Sequence, residues 1–133
     1  MTFEELVSYN ASLPFNRWAG IEVLSAGLDE VVLRLERRED LCQDLGGLHA
    51  ALIAGVLENA CGYALAMYPG SVGFVTQLDT HFLRPAQGDA FQAVGRVIKP
   101  GRRQSFAEAD FFVEVDGARG PRFATARALV VPS

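Results

Sequence analysis

One stretch constrains this chain more than any other. Leu48 to Tyr68 runs without a proline, is rich in Ala and Leu, and is apolar on almost every side. Such a segment makes a helix of about 31 Å, and with so little polar face it has to be wrapped by the rest of the molecule. Pro69-Gly70 stops it. Its wholly apolar part, Ala50 to Leu57, ends at Glu58 and Asn59 and is less than half a membrane span, so the segment reads as a core helix. The chain beyond Gly70 reads as strand. Val72 to Arg84 carries Phe74, Thr76, Leu78, Thr80 and Phe82 at alternate positions, predicting one shared face. Pro85 to Asp89 is a turn, Phe91 to Lys99 a strand, and Pro100-Gly101 a second turn. Ser105 to Asp116 alternates with Ala107, Ala109, Phe111, Val113 and Val115 on one side. Asp116 to Gly120 turns the chain into Arg122 to Val131, and the four strands are expected in meander order.

The residues ahead of the helix are organised more locally. Thr2 to Leu13 predicts a short amphipathic helix, with Thr2 as cap, Glu5 at the capping-box position, and Phe3, Leu6 and Val7 as an apolar stripe. Pro14 ends it. Ile21 to Leu35 is strand-like, broken by a turn at Leu28-Asp29-Glu30, and Glu36 to Gly47 reads as a loop. The chain of 133 residues therefore predicts a single α+β domain over 1–133, with an antiparallel sheet wrapped around one long central helix.

Composition narrows the function. Twelve Lys+Arg against sixteen Asp+Glu give a net charge of −4, which argues against general binding to nucleic acid or an anionic membrane. Cys42 and Cys61 are too few for a disulfide framework, and with only His49 and His81 no zinc or other metal constellation is expected. The N-terminal MTFEELVSYN has acids where a signal peptide needs basic residues and an apolar run, so the expected location is the cytoplasm.

The polar residues that interrupt the apolar pattern are the candidates for chemistry. Glu58 lies in the middle of the helix with Ala54, Gly55, Cys61 and Gly62 as its same-face neighbours, all small. Two glycines inside a helix each cost about 1 kcal/mol relative to Ala, and they leave space in front of the carboxylate. Glu58-Asn59 then marks either a solvated strip or structural hydrogen bond, or an acid whose burial raises its pKa toward acid–base use. His49, after Gly46-Gly47, sits at the helix start, where it is either a simple cap or part of a place that holds a developing oxyanion. Nine residues at 100° each place Glu58 about 180° around the helix from His49 and roughly 13 Å along it, so within one chain the two do not easily share a site. Two antiparallel helices across a two-fold axis would bring them together. Arg84, Arg102 and Arg103 stand at strand ends, either merely solvated or placed for phosphate. Cys61 reads as inert packing, and His81 as a surface residue beside Gln77 and Asp79.

The stretch Gln43-Asp44-Leu45-Gly46-Gly47-Leu48-His49-Ala50-Ala51, with Glu58 further along the helix, resembles the hotdog-fold acyl-CoA thioesterases. It is most similar to the 4-hydroxybenzoyl-CoA thioesterase and PaaI-like group, whose pattern is Q-P-x-G-x-x-H-G-G and then a helical Glu or Asp. Val75-Thr76-Gln77-Leu78, Phe82-Leu83-Arg84-Pro85-Ala86 and Gly101-Arg102 resemble that group's strand motifs, so the similarity covers Phe15 to Val131. The resemblance implies a hotdog fold and hydrolysis of an acyl-CoA, or of an acyl-carrier-protein thioester, between subunits of a homodimer or a dimer of dimers. It implies that the Ala50 N–H, aided by His49, polarises the thioester carbonyl, that Glu58 of the partner chain acts as base or nucleophile, and that Gln43 orients water or leaving group. It also implies substrate contacts at Gly62, Arg84, Arg102 and Arg103, with CoA as part of the substrate and no metal or redox cofactor. The chain departs from the pattern at Ala50 and Ala51, which replace the two glycines, and at Gly62, where several relatives carry a hydroxyl; these changes bear on substrate range. A hotdog dehydratase acting on 3-hydroxyacyl thioesters and a non-catalytic acyl-CoA-binding module are the rival readings.

Overall fold

The computed structural model describes residues 1–71 and 73–133. Val72, which opens the third predicted strand, lies outside the described residues. The elements run α1 (Phe3–Ser12), α2 (Pro14–Ala19), β1 (Glu22–Ala26), β2 (Val31–Glu36), a 3-10 turn (Glu39–Leu41), α3 (Ala50–Ala66), β3 (Gly73–Phe82), β4 (Ala90–Lys99), β5 (Ser105–Val115) and β6 (Ala118–Pro132). The strands form one antiparallel sheet in the order β1-β2-β4-β5-β6-β3, and α3 packs on its inner face, which is the hotdog architecture.

Local signals account for the N-terminal part. Thr2 and Glu5 form the expected reciprocal capping box. Pro14 does more than end α1: it opens a second short helix, α2, which the residue pattern does not announce. A proline is well placed at a first helical position, where its fixed φ suits the helix and its missing N–H has no intrahelical partner to lose.

The predicted meander holds for β4, β5 and β6 only. β3 crosses to the far side of the sheet and pairs with β6, from Gly73↔Pro132 to Phe82↔Ala124, while β4 pairs with β2. The face prediction for β3 holds only in part. A register shift between Val75 and Gln77 moves the alternation by one residue, so Val75 rather than Phe74 packs on the core beside the expected Leu78, and Phe82, on the side of Leu78 but at the end of the strand, is exposed. Alternation in β5 holds for Ala107, Ala109 and Phe111, which are fully buried, but Val113 is half-buried and Val115 is exposed.

The inner face of the sheet is lined with small residues where α3 crosses it. Ala93, Ala107, Ala109, Ala124, Ala126 and Ala128 are buried there. At Gly95 on β4 even a methyl group is excluded, because a Cβ would overlap the Ala60 carbonyl of α3. Larger side chains fill the rest of the core, notably Phe91, Phe111 and Phe123, whose ring centroids lie 4.7 to 6.3 Å apart. The outer face is polar. Arg34 holds Glu114 in a two-point ion pair of 3.0 and 3.1 Å, Gln92 donates to the same carboxylate, and this pairing keeps the Glu114 carboxyl below the usual range. Val32 and Val94 are buried beneath these long side chains.

α3 is shorter than predicted, starting at Ala50 and ending at Ala66, and it is not covered all round. Leu52, Ile53, Val56, Leu57, Ala60, Cys61 and Ala64 are buried. Ala51 is exposed, and Ala54, Gly55, Glu58 and Gly62 are only half-buried. No helix among the described residues is long and apolar enough to cross a membrane. The tight seat of α3 gives a direct test of the packing: Gly95→Ala pushes a methyl into the Ala60 carbonyl and is expected to cost about 1–3 kcal/mol, read as a lower urea midpoint. An unchanged midpoint would show that the helix can shift freely on β4.

Candidate functional site

The sequence-predicted residues separate into two groups at different places along α3. The first gathers at its N-terminus. Gly46, with φ of 89°, lets the chain turn back so that Gly46 N–H donates to the Gln43 carbonyl and Gln43 N–H to the Gly47 carbonyl. The Gln43 side-chain oxygen accepts from Leu45 N–H, and its Nε2 lies beside Gly47. Leu48 N–H donates to the Ala86 carbonyl and His49 N–H to the Leu41 carbonyl, which ties this turn to the loop after Arg84. Arg84 therefore belongs to this end of the helix, where it is exposed.

His49 caps α3. Its Nδ1 accepts from the Ala51 N–H at 3.0 Å. An accepting Nδ1 carries no proton, so the neutral ring holds its proton on Nε2 and presents a donor there. The cap occupies the Ala51 N–H, and Ile53 N–H donates to the His49 carbonyl. No described residue accepts from the Ala50 N–H, which is left at the positive end of a seventeen-residue helix.

The second group surrounds Glu58, more than two turns further on. Glu58 and Asn59 are adjacent polar residues that the sequence treats alike, and the fold uses them differently. Asn59 is structural: its Nδ2 donates to the Gly55 carbonyl at 2.9 Å and its Oδ1 accepts from Asn16 at 3.2 Å. Glu58 makes no hydrogen bond or ion pair to any described residue. Burial pushes its carboxyl above the ordinary carboxylate range, with no neighbouring charge needed to explain it. Gly55 and Gly62, on either side, face open space, so no described residue requires them to be small. Cys61, one turn along, is fully buried, and burial raises its thiol to about 12, which keeps it an inert packing group.

Glu58, Asn59 and Gly62 line a cavity of about 390 Å³, closed otherwise by residues such as Tyr9, Leu13, Tyr63 and Phe74. A second hollow of about 480 Å³ shares Leu65, Tyr68, Gly70, Ser71, Gly73 and Val130 with it and is bordered by Arg102. Arg102 is thus brought to the Glu58 group, whereas Arg103 lines neither space and Arg84 stands at the opposite end of β3. Tyr9 and Tyr63 carry no motif that marks them in the sequence. The available signal is the polar series Asn10, Asn16 and Asn59, which the structure links into one buried network with Tyr63. No described residues form a cluster of His, Cys, Asp and Glu able to hold a metal ion.

The raised carboxyl of Glu58 has a consequence for stability. The folded chain binds its proton more tightly than the unfolded chain, so stability contributed by this group is lost as pH rises from the ordinary carboxylate value through the folded one. Glu58→Gln is therefore expected to raise the unfolding midpoint at pH 7, with the gain shrinking toward zero below pH ~4. An equal gain at both pH values would show that Glu58 ionisation is not the cause.

No functionally curated protein matches the chain by sequence. Among solved structures, a thioesterase family protein from Silicibacter pomeroyi is 28% identical with a TM-score of 0.88, covering 96% of this chain and 95% of its own. A second protein from the thioesterase superfamily is 30% identical with a TM-score of 0.86, covering 98% and 97%. The E. coli PaaI protein from the phenylacetic acid degradation operon shares the fold at 15% identity, with a TM-score of 0.85 over 98% of this chain and 92% of that one. A thioesterase superfamily profile matches residues 45–118, a span that includes His49, Ala50, Glu58, Gly62, Arg84, Arg102 and Arg103. With more than half of its length matched, the chain belongs to the thioesterase superfamily, and thioester hydrolysis is the chemistry that this membership assigns to it.

Proposed function

We propose that the protein hydrolyses acyl-CoA thioesters in a site shared by two chains. The observation that carries this reading is the separation of polar groups along α3. One end of the helix offers an unengaged Ala50 N–H beside a capping His49 and Gln43, and the middle offers an unpaired Glu58 in a cavity, with neither group completing the other. In this reading the Ala50 N–H and the helix dipole polarise the thioester carbonyl, with His49 fixing the first turn. Glu58 from the partner chain activates water as general base or attacks the carbonyl itself, and its raised carboxyl places it nearer the pH at which either role is useful. Gln43, whose Nε2 lies beside Gly47, orients water or the leaving thiol. No metal or redox cofactor takes part.

Assembly extends the same picture. β3 is a ten-residue sheet edge with exposed Phe74 and Phe82, and the small-residue side of α3 is open next to it. An edge of that length left bare invites pairing with another strand. A two-fold homodimer covers it and sets the helices antiparallel, with a dimer of dimers as a larger form.

Substitutions test each part of the proposal. Glu58→Ala is expected to lower kcat by about 100-fold or more in a thiol-release assay with acyl-CoA; activity within a few-fold of the parent removes Glu58 from the chemistry. Mixing a Gln43→Ala/His49→Ala chain with a Glu58→Ala chain tests the shared site. Random subunit exchange at equal ratio makes about half of the dimers mixed, each with one intact site of two, so roughly a quarter of the parent activity returns. Demonstrated exchange without recovery places both groups in one chain. Neutralising Arg102 is expected to raise KM for acyl-CoA several-fold and reduce its salt sensitivity with little change in kcat, and Arg103 should matter less because it lines neither space. An unchanged KM moves the phosphate contact to Arg84. Water release from a 3-hydroxyacyl thioester without thiol would instead mark a dehydratase.

A further inference from the structure

Tyr9 and Leu13 give the Glu58 cavity a wall that neither α3 nor the sheet supplies, and neither residue borders the second hollow at Arg102. Tyr9 stands edge-on to Tyr63, with ring centroids 6.1 Å apart and planes at 71°. Tyr63 is buried on α3, five residues beyond Glu58, while Tyr9 lines the space and is 45% exposed, so it stands between the cavity and solvent.

The segment that carries Tyr9 is held with unusual firmness. Asn16 Nδ2 shares its two hydrogens among Asn10 Oδ1 at 2.9 Å, the Tyr63 hydroxyl at 2.9 Å and Asn59 Oδ1 at 3.2 Å. The Tyr63 hydroxyl donates to Asn10 Oδ1 at 2.8 Å, and Asn10 Nδ2 donates to the Ile21 carbonyl at 2.8 Å. Asn10, Asn16 and Tyr63 are all buried. A helix that only shields apolar surface needs no such network, since burying amides costs free energy unless they are bonded. Once every member is bonded, the network admits one arrangement of the helices it joins. Here it fixes α1 and α2 against α3 immediately beside Glu58, which holds Tyr9 in the wall of the cavity.

We propose that Tyr9 sets the upper length of the acyl group that the cavity accepts. This rests on reading the cavity beside Glu58 as the acyl site of a thioesterase. A chain that enters past Glu58 and Gly62 gains affinity for each methylene it buries and stops gaining when it meets the Tyr9 ring. With Tyr9 removed, the end of the cavity opens to solvent between α1 and Tyr63, and a longer chain can continue along the same wall.

The test separates the length limit from the chemistry by measuring binding and turnover on the same proteins. Binding is measured by calorimetry with non-hydrolysable S-alkyl-CoA thioethers from two to sixteen carbons. For the parent protein, affinity is expected to rise roughly fourfold per methylene and then level off. Tyr9→Ala is expected to move that plateau by two or more methylenes, making thioethers just beyond the parent limit about 16-fold tighter while the shortest ones change little. Tyr9→Phe, which keeps the ring, retains the parent plateau. A plateau at the same length in Tyr9→Ala, or parent affinity that climbs through sixteen carbons, overturns the proposal. A shifted plateau with no thiol release from any acyl-CoA upholds the length limit and removes the thioesterase reading. Thiol release with an unshifted plateau does the reverse, and no thioether binding at any length overturns both.

Discussion

Gly95 and Ala60 meet with no room between them for a methyl group, and the shape of the molecule depends on that contact. A helix can come this close to a sheet only where the sheet presents glycine and alanine, and the inner positions of β4, β5 and β6 supply them in register. Gly95 pairs with Ala109, Ala109 with Ala126, and Ala107 with Ala128. Close approach lets the strands curl around α3, and the helix then has apolar wall on most of its circumference. The larger phenylalanines fill the space that the curl leaves wider.

Because α3 is seated as a rigid rod, it also acts as a spacer. His49 is fixed at one end by its N–H bond to the Leu41 carbonyl, directly after the turn closed by Gln43 and Gly47, and Ala50 follows it in the chain. Glu58 is fixed in the middle, where the small residues around it admit a substrate or a neighbouring chain but offer no bond of their own. An unpaired, half-buried carboxylate is a cost to the fold, and so is a glycine inside a helix. Three such costs within eight residues of one helix, at Gly55, Glu58 and Gly62, are what a site looks like when stability has been given up locally.

The two faces of the sheet explain why the open surface lies where it does. The outer face is finished by its own long side chains, with Arg34, Gln92 and Glu114 closed over Val94. The edge at β3 and the small-residue side of α3 have no comparable cover. These are the surfaces that the shared-site reading uses. The ion pairs on the outer face are half-exposed and contribute modestly, so they mark a water-facing side more than they stabilise the fold.

Most of what depends on neighbouring residues was legible in the sequence, the short helix α2 behind Pro14 being an exception. The capping box of Thr2 and Glu5, the apolar run that became α3, the turns at Pro85, Pro100 and Asp116, and the isolation of Glu58 among small residues are all short-range patterns. Helical geometry alone separated His49 from Glu58. Other features were decided only by the folded chain, because they depend on partners distant in sequence. Periodicity marks a strand without naming its neighbour, so β3 could be recognised but its crossing to β6 could not. The register shift between Val75 and Gln77 put Val75 instead of Phe74 on the core side while Leu78 kept its expected place, and alternation cannot announce such a slip. The three arginines at strand ends were not told apart by pattern until the fold placed Arg102 on the hollow adjoining the Glu58 cavity, Arg103 on neither space and Arg84 at the other end of the helix. Tyr9 belongs to an ordinary amphipathic helix by pattern, and it reaches the site only because Asn10, Asn16, Asn59 and Tyr63, spread over more than fifty residues of chain, find one another in the core.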